Sequence, residues 1–394
     1  MRAVFFAHNV AESTVLKRVR SFSDNGVDVM TVAFRRTSAN VEFQPSWPNV
    51  HLGYTRDGAY LRRLLQLAAA TRRIALNRRR IGEADAFYAR NFDMCVLALI
   101  ARALAGRRIP VVYEVLDVHR LMTRQGPIFA MVRLAERWLL ANIDLLVVSS
   151  PAFVEGYFKP VQGYAGRWFL LENKIHASAQ TVAAGARGLG PLLEGAQPTW
   201  VIGWFGALRD RASLAIMTAL ARRFGERLRI YVRGYLSGVP QDEFEQALAE
   251  NPNIEFGGEF KNPDDLPDMY ARVHFTWALD LFEDGKNSTW LLSNRIYEGG
   301  LFGSLALAAE GTAVASKVAS LDLGWIVEPD YADQISALLE RLTPDEYRRQ
   351  RAAVLALPQS EFVDLEDTGR LIQTIAAMSG SNGPSRVCAP SPVS

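Results

Sequence analysis

AVFFAHNVAESTVLKRVRSFSDNGVDVMTVAF, residues 3–34, decides the fold. Residues 3–7 are a short all-apolar run, the pattern of a strand buried on both faces. A polar loop runs from His8 to Ser13, and Ser13 or Thr14 is suited to cap a helix that continues to Phe22. The helix stops before Asn25-Gly26, and residues 27–34 make a second apolar run. Strand, helix and strand in this order form a βαβ unit, which implies a parallel sheet.

The alternation continues outward from there. Residues 84–90, 110–116, 144–150 and 167–173 read as strands, and 94–105 and 131–143 as helices. An Ala/Gly-rich stretch, 175–198, breaks the pattern and reads as a connector. A second series then starts, with strands at 199–208, 228–234, 253–258, 273–279, 304–309 and 324–329. Helices at 213–225, 242–250, 263–273, 291–302 and 331–342 lie between and after them. The fold class expected is α/β, two doubly wound, Rossmann-like domains in tandem. The expected boundaries are 1–175, a connector at 176–198, 199–355, and closing helices at 356–378 that cross back to the first domain. The Ser/Pro/Gly-rich tail, 379–394, is expected to be disordered. Ligands of such sheets bind outside the carboxyl ends of the strands, so the natural site is the cleft between the two sheets.

Composition agrees and excludes several classes. At 394 residues the chain exceeds the size at which one core stops growing. A net charge of +2 gives no global attraction for nucleic acid. The two cysteines, Cys95 and Cys388, lie far apart without metal-ligand spacing, which fits a reducing compartment. No run of about 18 apolar residues marks a spanning helix, and the N-terminus lacks a signal-peptide pattern.

Four segments carry a family resemblance: FFAHNVAESTVLKRVRSFSDNGVDV, FYARNFDMCVLALIARALAGRRIPVVYEVLDVHRL, WVIGWFGALRDRASL and SNRIYEGGLFGSLALA. Together they resemble the GT-B glycosyltransferases, family 4-like, and the opening and YEVLDVHRL stretches are similar to succinoglycan-type exopolysaccharide glucosyltransferases. The resemblance implies the GT-B arrangement and transfer of a sugar, glucose from UDP-glucose, to a lipid-linked oligosaccharide on the cytoplasmic face of the membrane. It also implies that Arg295 meets the donor diphosphate and Glu298 the ribose hydroxyls. The chain departs from the pattern at Trp290, where a second glutamate is often found, and at Gly303-Ser304-Leu305, which lacks the usual proline. Retention and inversion of stereochemistry both stay open.

The chemistry asks for these residue types. A diphosphate needs cations or free backbone N–H groups, and helix N-termini supply the latter. A ribose diol needs an acceptor pair, which one carboxylate provides. Arg295 and Glu298 lie one helical turn apart, so a simple i,i+3 ion pair is the competing explanation. Asn287 and Ser288 are suited to hydroxyl or phosphate contacts just upstream. Gly206 would allow close backbone approach, and Arg209, with Arg211 behind it, is a candidate clamp. The loop holding Glu259, Phe260 and Lys261 is the expected seat of the base.

The first domain should supply the acceptor side. An inverting transfer needs a group to take the acceptor proton. Asp117 is the first choice and His119 the second, in the loop after Glu114, while His8, Asn9 and Glu12 occupy the first βα loop. No Asp-x-Asp occurs, so no metal or other cofactor is expected to be obligatory. A non-catalytic nucleotide-sugar binder and a nucleotide-sugar epimerase are the rival functions.

Residues 60–82 carry seven arginines and no acid. At helical spacing Leu61, Leu64, Leu65, Ala68, Ala75 and Leu76 share one side, with Arg72 and Arg79 intruding on it. The pattern is expected to contact an anionic membrane surface, against the simpler alternative of a packed helix with a wet basic face.

Overall fold

The computed structural model describes residues 1–36, 43–55, 60–118, 120–176, 198–283 and 285–380, with the backbone alone for 60–65 and 120. His119, most of the expected connector and most of the expected tail lie outside these residues.

The first sheet contains β1 (Arg2–Ala7), β2 (Asp28–Arg36), β3 (Asn49–Thr55), β4 (Ala86–Arg90), β5 (Val111–Val115), β6 (Leu145–Val148) and β7 (Trp168–Leu170). Their spatial order is β3-β2-β1-β4-β5-β6-β7, all parallel. After the short β8 (Ile175–His176), the second sheet contains β9 (Trp200–Leu208), β10 (Leu228–Leu236), β11 (Ile254–Phe256), β12 (Phe275–Trp277), β13 (Leu305–Ala309) and β14 (Gly324–Val327). Its order is β11-β10-β9-β12-β13-β14, again parallel. Each sheet reverses direction once, between β1 and β4 and between β9 and β12. These are the switch points where doubly wound sheets open a crevice. β3 escapes the sequence pattern because it is an edge strand with alternating burial rather than an apolar run.

The helices that position the site are α1 (Ser13–Asp24), α2 (Tyr60–Leu76), α3 (Arg78–Gly82), α4 (Phe92–Ala105), α5 (Pro127–Leu140), α6 (Arg211–Phe224), α7 (Asn287–Trp290), α8 (Asn294–Phe302) and α9 (Asp367–Gly380). α5 begins four residues before its expected start, because Pro127 pre-sets the first helical turn. The helix expected over 291–302 begins later, at Asn294, where Ser293 caps α8 by accepting from the Arg295 N–H, and a separate short helix, α7, ends just before the expected start, at Trp290.

Several contacts among the described residues join the two lobes. β15 (Val363–Asp364) pairs with β8, and α9 packs against α1, with Leu371 and Ile375 in the same core cluster as Val15, Val19 and Phe22. Leu291, from the second lobe's chain, is buried among first-lobe core residues. Beside it the Trp290 indole lies against Gly156, where no Cβ would fit.

α2 packs on the sheet by a different side from its sequence-marked stripe. Its core side is Leu67, Ala70 and Ile74, followed by Ile81 of α3. Of the side expected to be an apolar stripe, Ala68 and Leu76 are exposed and Ala75 is half-buried, while Leu61, Leu64 and Leu65 lie among the side chains not described. Ala68 and Leu76 therefore face away from the core, together with Arg72 and Arg79. Helical periodicity located a face, but it did not say which face meets the sheet.

Candidate functional site

The β9/β12 switch point gathers the charges. Arg209 follows β9 and Asp280 follows β12, and their side chains form an ion pair. Asp280 is buried while Arg209 keeps about a third of its side-chain surface. Burial works to raise the Asp280 pKa, but the Arg209 and Arg295 guanidinium groups outweigh it and hold it below the usual carboxylate range. Arg209 also lies over the Phe282 ring, 5.3 Å from its centroid.

Arg295 and Glu298 form no ion pair. Arg295 donates through Nη1 to the Trp277 carbonyl at 2.7 Å, at the end of β12. Glu298 is buried and accepts from Asn262 Nδ2 at 2.8 Å and Tyr270 Oη at 3.1 Å. Burial raises its pKa. Each carboxylate oxygen still has a second lone pair for another donor. α8 lies close to β12 because Gly299 has no side chain facing Thr276, and Gly300 likewise makes room for Phe362.

Asn287 and Ser288 do not stand free for a ligand. Ser288 is buried, donates to Asp280 Oδ1 at 2.9 Å and accepts from the Glu283 N–H at 3.0 Å. It fixes the loop that carries Asp280. Asn287, also buried, reaches across to the first lobe. Its Oδ1 accepts from the Val118 N–H at 3.0 Å, and its Nδ2 donates to Asp117 Oδ1 at 3.1 Å. Asp117 is exposed, and its other oxygen has no partner among the described residues. The preferred base and the donor-side loop are thus tied by one amide.

The GWFGALRDR segment divides. Gly206 sits within β9 at φ +107°, with open space where a Cβ would project. Asp210 caps α6, accepting from the Ala212 N–H at 2.9 Å and from Ser213 Oγ at 2.6 Å. That carboxylate occupies the helix N-terminus and turns anions away from it. Arg211 faces outward and pairs with Glu243. Arg233 ties down the 257–265 loop through the Glu259 carbonyl. Lys261 donates its N–H to Asp265 in the same loop.

On the opposite lobe, His8 Nε2 meets Glu12 at 2.6 Å, and Asn91 Nδ2 meets His8 Nδ1 at 3.0 Å across the β1/β4 switch point. Burial would raise the Glu12 pKa, but hydrogen bonds and charge from His8, with Thr14 and Arg90, bring it down to about 2. Asn9 is buried and turns its Oδ1 to the Ala11 N–H at 3.2 Å. Glu114 is sealed between Arg18 at 2.7 Å and Arg90 at 2.7 Å, so it anchors the loop start rather than reacting.

Two residues escaped the sequence. Asp280 had a signal, an acid at the end of an apolar strand. Lys17 had none. Its ammonium donates to Asn173 Oδ1 at 2.9 Å and to the Lys174 carbonyl, and Asn173 donates to Asn294 Oδ1 at 2.6 Å. This chain links α1 to the start of α8. Among the described residues, no group of three or more His, Cys, Asp or Glu side chains is arranged to hold a metal ion. A broad surface concavity, lined by Thr199, Arg229 and Asn253, opens at the amino ends of the second sheet, the edge such folds leave without ligands.

No family model matches the chain. It is similar to the succinoglycan biosynthesis protein ExoL of Rhizobium meliloti (strain 1021), with 34% identity over 383 residues, covering 96% of this chain and 94% of that protein. Among solved structures it resembles Anabaena HepE in complex with UDP and glucose, at 14% identity and TM-score 0.65, covering 96% of this chain and 100% of that one. It also resembles the sucrose-phosphate synthase of Thermosynechococcus elongatus, at 14% identity and TM-score 0.68, covering 96% and 99%. These likenesses show the fold, which is GT-B.

Proposed function

The chain belongs to the family of the succinoglycan biosynthesis protein ExoL, and from that premise we propose that it is a nucleotide-sugar-dependent glycosyltransferase of exopolysaccharide assembly, moving glucose from UDP-glucose to a lipid-linked oligosaccharide. The UDP and glucose held by HepE support this choice of donor. The observation that carries the reading is the Asn287 bridge, which sets Asp117 opposite the Arg209–Asp280–Arg295 cluster. The non-catalytic binder and the epimerase are not favoured.

The roles follow from charge and reach. Arg209 exchanges part of its bond to Asp280 for the donor diphosphate, and Arg295, Gly206 and the Ser293-capped start of α8 frame it. Negative charge grows on the diphosphate as the glycosyl bond breaks, so fixed cations there lower the barrier as well as the dissociation constant. Glu298 receives the ribose hydroxyls. Asp117, with His119 two residues on, takes the proton of the attacking acceptor hydroxyl. His8, Asn9 and Glu12 line the acceptor side, and the reaction needs no metal. Residues 60–82 meet the anionic inner face of the membrane, where the acceptor resides. The described residues include no helix long and apolar enough to cross a membrane.

A donor screen with membrane-extracted lipid-linked acceptor tests this, scored by release of nucleoside diphosphate. Release is expected with UDP-glucose and acceptor together, and unchanged in EDTA. No release with any donor would overturn the transferase reading, and EDTA-abolished release would overturn the metal-free one.

A further inference from the structure

The outer face of α5 is apolar and exposed. Ile128 and Met131 are each 71% exposed, Leu134 63% and Trp138 59%. Spacings of three and four residues align these side chains along one side of the helix. Large apolar side chains in an aligned row mark an interaction surface, whereas single ones do not.

The charges on the exposed side of α5 are of one sign. Between Gln125 and Leu140 the sole acid is Glu136, which is buried and bonded to Tyr157 and Gln162. Arg124 and Arg137 are exposed, and Arg133 is half-exposed. Arg133 is held by the Arg124 carbonyl at 2.7 Å, and Arg137 by the Val161 and Gln162 carbonyls at 2.9 and 3.1 Å. The α2–α3 segment, with Arg72, Leu76, Arg79 and Arg80 exposed, belongs to the same layer of helices, because α4 packs against both α2 and α5.

We propose that the Ile128–Met131–Leu134–Trp138 face of α5 inserts into the interfacial region of an anionic lipid bilayer, while the arginines of α5 and α2–α3 hold the lipid headgroups. An apolar row on a helix whose exposed charges are all arginine complements anionic lipid. Trp138, near the helix end, is the residue type that sits at the boundary between acyl chains and headgroups. α5 follows closely on the loop that carries Asp117, so docking by this face sets the proposed base near the membrane plane. The proposal rests on the transferase reading in that last point alone.

Sedimentation of the full chain with vesicles tests it, using phosphatidylcholine alone and phosphatidylcholine mixed with phosphatidylglycerol. Wild type is expected to partition onto the mixed vesicles. Met131→Glu with Leu134→Glu is expected to lower that partition about tenfold or more. Arg79→Glu with Arg80→Glu is expected to lower it on mixed vesicles only. Thermal melting checks that these surface variants fold. Wild type that ignores mixed vesicles, or a Met131/Leu134 variant that partitions like wild type, overturns the proposal. So does a wild-type dimer that the Met131/Leu134 variant dissolves, since a second copy would then cover the face. The assay holds neither donor nor acceptor, so its failure leaves the transferase reading untouched, and a failed donor screen leaves the partition result untouched.

Discussion

Asn287→Ala separates what bridges the lobes from what binds the donor. The wild-type amide makes two hydrogen bonds across the cleft, to the Val118 N–H at 3.0 Å and the Asp117 carboxylate at 3.1 Å. Val118 is buried, so the variant leaves its N–H without a partner, at about 1–3 kcal/mol. The bond to exposed Asp117 adds little, about 0.5 kcal/mol, because water replaces it. A stability loss of about 2 kcal/mol is the expected sum, read from urea unfolding. The larger effect falls on rate. Asp117 loses the donor that orients it, and misplacing a reacting group by about 1 Å costs on the order of a hundredfold. kcat should therefore fall about 10- to 100-fold, while the KM for UDP-glucose changes little, since Arg209, Asp280 and Arg295 are untouched. The assay is nucleoside diphosphate release at saturating acceptor, with UDP affinity measured by calorimetry. A stability loss with unchanged kcat would show that the bridge is architectural and that Asp117 is not the base. Unchanged stability and kcat together would remove the bridge itself.

Two other perturbations probe the remaining contacts. Arg209→Ala should weaken UDP binding about 10- to 100-fold, the range of one charge-assisted contact, and Arg209→Lys should recover part of it; equal affinities by calorimetry would take Arg209 out of the donor site. Burial, with Arg18 adding to it, pushes the Lys17 ammonium down to about 7, against about 10.4 in an unfolded chain. Between these values the unfolded chain holds a proton that the folded chain has released. Stability therefore rises with pH from about 7 toward 10.4 and takes no such gain below 7. Lys17→Met should lack this rise in urea midpoints measured across that window, and parallel curves for the two proteins would contradict it.

The alternation of apolar strands and amphipathic helices determined the two sheets, because an all-apolar strand has to be buried on both faces, with helices covering it. The same local logic located Arg209, Arg295 and Glu298, which stand next to strand ends or on a helix that follows one. It also placed Asp117 beyond Glu114 at the end of β5. Tertiary structure alone decided what these groups touch. Ser288 and Asn287 carry polar side chains in a polar turn, and nothing local distinguishes a ligand contact from an internal strut. Docking of α7 and Leu291 into the first lobe makes one a lock on Asp280 and the other a bridge to Asp117. The Arg295–Glu298 spacing permitted an ion pair, yet the end of β12 claims Arg295 and Tyr270 with Asn262 claims Glu298. The side of α2 that meets the sheet and the bare side of α5 were undecided for the same reason. A helix's period fixes which residues share a face, and only the neighbouring layer fixes whether that face is covered.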